Sequence, residues 1–203
     1  MSPWTRSRGK RVFDVLASSL GLIVLFPLFL LLAVLIKLED GGPVFFRQER
    51  VGHRGRIFRI WKFRTMVVNA EKLGGYLTIG RDPRITRVGY WLRKTKFDEL
   101  PQLINVLLGE MSLVGPRPEV PKYVSFYTDE QRRVLELRPG ITDPASIQFR
   151  DENELLANAA DPERYYLEVV MPEKIRLNLE YAKQASFWTD FRIILKTLTR
   201  LFR

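Results

Sequence analysis

The chain reads as a helix-rich α+β fold, in which a long apolar N-terminal helix leads into a compact domain with a small β-hairpin and amphipathic helices. Three patterns carry this reading. Residues 15–36 hold no charged side chain, which is the signature of a membrane-embedded helix. Residues 44–63 hold two short runs of β-branched and aromatic residues on either side of Gly52-His53-Arg54-Gly55, a turn composition. Leu100, Leu103, Ile104, Leu107 and Leu108 recur at helical spacing, with Gly109 where a helix would stop.

Composition narrows the chemistry. A chain of 203 residues suffices for one domain with its own core and a membrane appendage. Lys plus Arg number 33 against 23 Asp plus Glu, and the net charge of +10 favours polyanions: nucleic acid, anionic headgroups or phosphorylated substrates. There is no cysteine, so disulfides, thiolate zinc sites and cysteine nucleophiles are excluded. The single histidine, His53, lies in the turn composition and reads as a surface residue, which removes Ser-His and multi-histidine metal chemistry.

In chain order, residues 15–36 would make a helix of roughly 33 Å at about 1.5 Å per residue, enough to cross a bilayer core. The run is too long for a cleaved signal peptide, and no small-residue cleavage site follows Ile36. Pro27 falls mid-segment and would bend the helix by removing the bond to the Ile23 carbonyl. Basic residues stand on both flanks, Arg6, Arg8, Lys10 and Arg11 before and Lys37, Arg47 and Arg50 after. Both a re-entrant hairpin and a kinked transmembrane helix agree with this pattern.

After the break at Glu39-Asp40-Gly41-Gly42-Pro43, strands are expected over 44–51 and 56–63. Arg47, Arg50, Arg54, Arg56, Arg59, Lys62 and Arg64 face only Glu49 in this stretch, interleaved with aromatics, which suits a phosphate, a membrane or stacked bases. A short helix, a Gly74-Gly75 loop and a second helix after Asp82-Pro83-Arg84-Ile85-Thr86 come next. Arg84, Arg87, Arg93, Lys94 and Lys96 carry positive charge toward Asp98 and Glu99, with Arg93 and Lys96 within reach of a phosphate bound there.

Asp98 falls at the start of the 100–108 helix, where free N–H groups and the dipole favour a carboxylate, a phosphate or a magnesium-bound phosphate. A plain helix cap with Pro101 in the first turn is the competing explanation. Beyond Pro118 the chain is helical. Residues 139–144 are dense in turn formers, and Asp161-Pro162-Glu163 marks a helix start. In the last helix Phe187, Trp188, Phe191, Ile194, Leu195, Leu198, Leu201 and Phe202 share one face, opposite Arg192, Lys196, Arg200 and Arg203. Such a helix suits an anionic membrane interface or a groove on the core.

Four ordered motifs together carry a family resemblance: Lys62-Phe63-Arg64-Thr65-Met66; Asp82-Pro83-Arg84-Ile85-Thr86 through Leu92-Arg93; Asp98-Glu99-Leu100-Pro101-Gln102 through Gly115-Pro116-Arg117-Pro118; and Arg138-Pro139-Gly140-Ile141-Thr142. In them the chain resembles the bacterial sugar transferases, the monotopic phosphoglycosyl transferases that act on polyprenyl phosphate. The resemblance implies a Mg²⁺-dependent enzyme that takes a sugar-1-phosphate from a UDP-sugar, releases UMP and passes the phosphosugar to polyprenyl (undecaprenyl) phosphate. This is the first membrane step of glycoconjugate assembly. Asp98 matches the nucleophile that carries the phosphosugar, and Glu99 beside it matches a metal-binding or supporting carboxylate. Lys62, Arg93 and Arg117 match cations around the phosphate, Arg117 being held between two prolines. Arg84, Gln102 and Thr142 complete the implied substrate-binding set.

The resemblance also implies a division at residue 40: a re-entrant membrane hairpin over 1–40, and over 41–203 a cytoplasmic catalytic domain with interfacial helices, at the bacterial inner membrane. Its partners would be the UDP-sugar, the polyprenyl phosphate and membrane lipid, with no nucleic acid; a homodimer agrees with all of this. The chain departs from the family pattern at Phe26-Pro27, where many members carry Ser-Pro. It departs again at Asp143-Pro144-Ala145-Ser146, where Gly-Trp-Ala-Gln is frequent, so the sugar is not read from that stretch. Two rivals are a membrane-tethered nucleic-acid binder, which gives Asp98-Glu99 no role, and a non-catalytic membrane scaffold, which leaves the arginines without a ligand.

Overall fold

The computed structural model of the protein describes residues 1–73 and 82–201. Helix α1 (Arg8–Asp40) begins where the Ser7 side chain accepts from the Lys10 N–H and ends at Gly41, whose φ of 71° is the left-handed stop expected of glycine. It runs through Pro27 as one helix, not as two arms joined by a turn. One lost N–H at Pro27 does not divide a segment that is fastened along its whole length.

Those fastenings all reach the same body. Near the N-terminus, Lys10 and Asp14 are buried, Lys10 Nζ donating to Asp190 at 2.5 Å and the Leu113 N–H donating to Asp14 Oδ1 at 3.1 Å. In the middle, a Cβ on Gly21 would lie 3.1 Å from Leu103. Toward the C-terminus, Leu32 and Ile36 share a buried cluster with Phe63 and Leu92, and Asp40 pairs with Arg64. The opposite face, including Leu16, Leu20, Ile23, Phe26, Leu30 and Val34, is exposed. This helix is long and apolar enough to cross a membrane.

Strands β1 (Phe45–Val51) and β2 (Ile57–Phe63) form the antiparallel hairpin, in register from Phe45 opposite Phe63 to Val51 opposite Ile57. The His53–Gly55 turn joins them, within a residue of the limits read from the sequence. The expected short helix is a 3₁₀ turn, Ala70–Leu73, and the Gly74-Gly75 loop lies outside the described residues. Helix α2 (Arg87–Thr95) is capped by Thr86 and stops at Lys96, with φ 59°. It lies so close to the segment that follows β2 that a Cβ on Gly89 would sit 2.0 Å from the Thr65 carbonyl oxygen.

Helix α3 (Gln102–Leu108) is shorter than its leucine pattern, because residues 97–99 form a separate 3₁₀ turn before Pro101. Strand β3 (Ser112–Val114) follows. After helices α4 (Pro121–Val124) and α5 (Asp129–Arg132), strand β4 (Gly140–Thr142) pairs with β3 in parallel, a partnership the turn-rich 139–144 stretch did not announce. Glycines make it fit: a Cβ on Gly115 would stand 2.3 Å from the Arg138 oxygen, and one on Gly140 would stand 2.1 Å from the Gly115 nitrogen.

Helices α6 (Pro144–Gln148), α7 (Glu152–Ala157) and α8 (Pro162–Tyr165) lead to a π-helical turn, Tyr166–Val170, and then to α9 (Met171–Gln184) and α10 (Phe187–Leu201). Asp161 caps α8 by accepting from the Arg164 N–H, as its Asp-Pro start predicted. On α10, Ile193 is buried beside Val114 and Tyr181, while Trp188, Leu195 and Leu198 are exposed. Most of its apolar stripe therefore does not face the core.

Candidate active site

A cleft of about 310 Å³ opens between β2, the 3₁₀ turn at residues 97–99, the loop after β3 and the helices that follow. Each element delivers a charge to it. Strand β2 contributes Lys62 from its last turn of pleat, α2 contributes Arg93, and the left-handed Lys96 turns the chain so that Asp98 and Glu99 meet both. From the other side the β3–β4 pairing presents Arg117, whose backbone N–H donates to Asp143 Oδ2 at 3.1 Å. Asp143 also caps α6, so the loop between Pro116 and Pro118 is held by both its backbone and its prolines.

The two adjacent carboxylates have different surroundings. Glu99 is fully engaged: Arg117 Nη1 donates to Oε2 at 2.8 Å and Arg117 Nη2 donates to Oε1, which also accepts from Lys62 Nζ at 3.0 Å. Asp98 is 7% exposed, and no group donates to its Oδ1. It therefore does not cap α3, whose first position is preceded by Pro101 with no side-chain cap. A buried carboxylate oxygen without a donor is costly, and its neighbours rather than its hydrogen bonds must hold its charge.

Burial raises the Asp98 carboxyl from its ordinary 3.8 to about 6; the charge on Glu99 adds to the rise, and Lys62, Arg93 and Lys96 oppose it. Burial works against ionisation of Glu99 as well, but Arg117 and Lys62 outweigh it and hold that carboxyl well below the usual range. Burial lowers Lys62 and Arg93 in turn, with Glu99 and Asp98 respectively offsetting part of the cost. The pair thus splits into a permanently charged anchor, Glu99, and a desolvated carboxylate, Asp98, poised to ionise near neutral pH.

The structure brings Lys62, Arg93, Asp98, Glu99 and Arg117 to one cleft, and leaves the other three expected residues off its wall. Arg84 is paired with Asp82, Nη2 to Oδ2 at 2.5 Å, and Nη1 donates to the Ala70 carbonyl. Gln102 is buried in the first turn of α3, with neither amide atom hydrogen-bonded. Thr142 lies 2.6 Å from the Thr197 hydroxyl on α10 and accepts the Gly115 N–H through its carbonyl, so it supports the loop that carries Arg117. Sequence reasoning did not single out Glu119, Tyr166, Lys174 or Asn178, which also line the cleft, and it read Arg50, a further lining residue, only as one of the hairpin cations. They come from strand β1, the loop after β3, the π-helical turn and α9, and no local spacing could have grouped all of them.

Magnesium takes oxygen ligands and keeps several waters, usually binding through one or two carboxylates plus substrate phosphates. Among the described residues no cluster of three or more acidic or imidazole side chains exists. Asp98 nonetheless offers an uncommitted oxygen beside cations that would hold the phosphates. The donor set fits a magnesium ion bound mostly by the substrate and water.

The profile of the bacterial sugar transferases matches residues 5–203. The chain belongs to that family. As a bacterial sugar transferase it is similar to the galactosyl transferase CpsE of Streptococcus agalactiae, 38% identical over 200 residues covering 93% of this chain and 41% of that protein. It is 41% identical over 194 residues to the UDP-N-acetylgalactosamine-undecaprenyl-phosphate N-acetylgalactosaminephosphotransferase of Aeromonas hydrophila, covering 93% of this chain and 42% of that protein. It is 36% identical over 204 residues to the exopolysaccharide production protein ExoY of Rhizobium meliloti, covering 93% of this chain and 83% of that protein. The transferase chain thus spans about two fifths of the length of the first two relatives and most of the third. These relatives give no support to the nucleic-acid-binding alternative.

Proposed function

We propose that this bacterial sugar transferase moves a sugar-1-phosphate from a UDP-sugar to polyprenyl (undecaprenyl) phosphate, releasing UMP, by way of a phosphosugar carried on Asp98. The observation that carries the reading is the Asp98 carboxylate: buried, without a hydrogen-bond donor on Oδ1, and facing Lys62, Arg93 and Lys96 across the cleft. A carboxylate with no hydrogen bonds to break is a ready nucleophile once cations have drawn a diphosphate against it.

In the first step an Asp98 oxygen forms a bond to the sugar-bearing β-phosphorus, the bond from that phosphorus to the α-phosphate oxygen breaks, and UMP leaves with the electron pair. In the second, an oxygen of the polyprenyl phosphate attacks the same phosphorus. The aspartyl bond breaks, the carboxylate returns, and a polyprenyl-diphosphate sugar departs. Arg117 and Lys62, kept charged and oriented by Glu99, and Arg93, steadied by its bond from Nε to Thr65 Oγ1 at 2.9 Å, neutralise the phosphate oxygens in both steps. Mg²⁺, when bound through a free Asp98 oxygen together with the diphosphate, would supply further charge neutralisation, while Glu99, expected beside it as a metal ligand, is taken up by Arg117 and Lys62.

A lipid-phosphate acceptor calls for a site at headgroup level. The exposed apolar faces of α1 and α10 support a monotopic placement, in which α1 dips into the cytoplasmic leaflet of the bacterial inner membrane and the domain stays on the cytoplasmic side. Both ends of α1 are fastened to that domain, which supports a re-entrant placement over a simple span.

Purified protein in detergent, given Mg²⁺, a panel of UDP-sugars and polyprenyl phosphate, should release UMP with at least one sugar, and Asp98→Asn should release none. Mass spectrometry before acceptor is added should find the phosphosugar on Asp98. Full turnover by Asp98→Asn would overturn the mechanism.

A further inference from the structure

The cleft does not end at the phosphate-binding charges. The same cleft is lined by Arg50, Glu119, Glu152, Tyr166, Lys174 and Asn178, which touch one another and form its second chamber: the Tyr166 hydroxyl meets Glu119, the Lys174 ammonium lies over the Tyr166 ring, and Asn178 donates to the Lys174 carbonyl. The charges of this chamber are already matched in pairs: Arg50 lies 3.6 Å from Glu119, and Lys174 lies 2.8 Å from Glu152. Its cations and anions therefore cancel. At the Asp98 end, by contrast, Lys62, Arg93, Lys96 and Arg117 outnumber Asp98 and Glu99. A diphosphate belongs at the cationic end, and the neutral end suits an uncharged, polar group attached to it.

Two polar atoms in this chamber have no partner. Asn178 is 4% exposed, and its Oδ1 receives no hydrogen bond although its Nδ2 donates to Asp143 and to the Lys174 carbonyl. Arg50 donates through Nη1 to the Pro118 carbonyl and through Nη2 to Gln48, while its Nε has no acceptor. One is an acceptor awaiting a donor, and the other a donor awaiting an acceptor. Hydroxyl groups supply both. Tyr166, whose hydroxyl donates to Glu119, opens the π-helical turn Tyr166–Val170, a rare local geometry that is frequent at functional sites. Leu156, Met171 and Ile175 give the same chamber an apolar floor.

From this the geometry points to the second chamber as the hexose-binding subsite, in which Asn178, Arg50 and the Glu119 and Glu152 carboxylates read the hydroxyls of the donor sugar. The assignment rests on the proposed use of a UDP-sugar. The hexose is favoured over the uracil ring because the chamber offers as acceptors the Glu152 oxygen that Lys174 leaves free and the unfilled Asn178 oxygen, with the Glu119 carboxylate, already held by Arg50 and Tyr166, behind them. A hexose presents several O–H donors to meet them, whereas uracil presents a single N–H. A site built to hydrogen-bond a hydroxyl rejects an analogue that lacks or misplaces it far more strongly than an apolar pocket can.

The test compares the full chain in detergent with Asn178→Ala and with the near-isosteric Glu152→Gln on the neighbouring helix α7. UDP-glucose, UDP-galactose and their N-acetyl forms are assayed by UMP release, and binding of each is compared with binding of UDP by thermal shift, which needs no turnover. The ratio of kcat/KM between the best donor and its 4-epimer should fall by about tenfold or more in at least one variant. The extra affinity of the best UDP-hexose over UDP should shrink by a similar factor, with UMP inhibition unchanged. An equal loss for every sugar would mark a structural role, and a change in UMP inhibition would mark a nucleotide subsite; either overturns the assignment, as does unchanged discrimination in both variants. Hexose-dependent binding that fades in the variants, without UMP release by the wild type, would sustain the subsite while removing the transferase reading.

Discussion

Arg117 closes on Glu99 with both terminal nitrogens, Nη1 standing 2.8 Å from Oε2, and so takes the carboxylate next to Asp98 out of contention for the reacting phosphorus. The motif Asp-Glu places two carboxylates side by side, but the fold gives only one of them a free oxygen. Glu99 acts through the cations it holds.

Replacing Glu99 by Gln removes the charge that Arg117 and Lys62 share while keeping the shape. Breaking one side of such a part-buried cluster is expected to cost about 1–3 kcal/mol in thermal stability and to slow UMP release about 100-fold. A second readout separates positioning from simple damage. The Glu99 charge helps raise Asp98, so the acid limb of the kcat/KM profile should move to lower pH in Glu99→Gln. An unmoved limb would show that the two carboxylates do not sense each other.

Asp98 itself predicts two pH effects of opposite sense. Burial raises its carboxyl from 3.8 to about 6, so below pH 6 the proposed nucleophile is protonated and kcat/KM should fall about tenfold per pH unit. For stability, the folded protein binds the proton more tightly than the unfolded chain, so the penalty appears as pH rises from about 4 through 6 and is fully present above it. Asp98→Asn should therefore be more stable than the wild type at pH 8 by roughly 3 kcal/mol, with the difference vanishing near pH 4. Thermal unfolding across this range checks it, and a less stable Asn variant at pH 8 contradicts it.

The pair Lys10 and Asp190 ties the start of α1 to α10 inside the protein. Asp190 also accepts from Trp4 Nε1 at 2.9 Å and from the Tyr181 hydroxyl at 2.6 Å. Asp190→Asn leaves a buried ammonium without its counter-charge, which should cost about 3–5 kcal/mol, and Lys10→Met in the same chain should restore part of it. Unfolding of the two single variants and the double variant in detergent measures the coupling.

Much of this architecture was legible in the chain because its signals are local. The uncharged 15–36 run, the turn between two aromatic strands and the amphipathic stripe after Phe187 each announced an element that the structure contains. Asp98 was legible through its company of cations. What stayed hidden is non-local. The β3–β4 pair joins stretches more than twenty residues apart through two glycines whose closeness no pattern declares. Arg50 and Asn178 reach one cleft from a hairpin and a late helix. The helix α3 begins only after Pro101, so the carboxylate expected at its start sits in a turn of its own, with no backbone donor. Arg84 and Thr142 occur in the right motifs, yet the fold uses them to brace neighbouring segments.

The helix that carries the exposed apolar face also supplies one wall of the globular core. Ile36 and Leu32 pack with Phe63, the neighbour of Lys62, and Lys10 neutralises Asp190. A fragment trimmed to begin after residue 40 would bare these surfaces together and strand a buried carboxylate. For this chain, solubility cannot be gained by cutting off the greasy end, since the helix with the exposed apolar face is also part of what holds the cleft together.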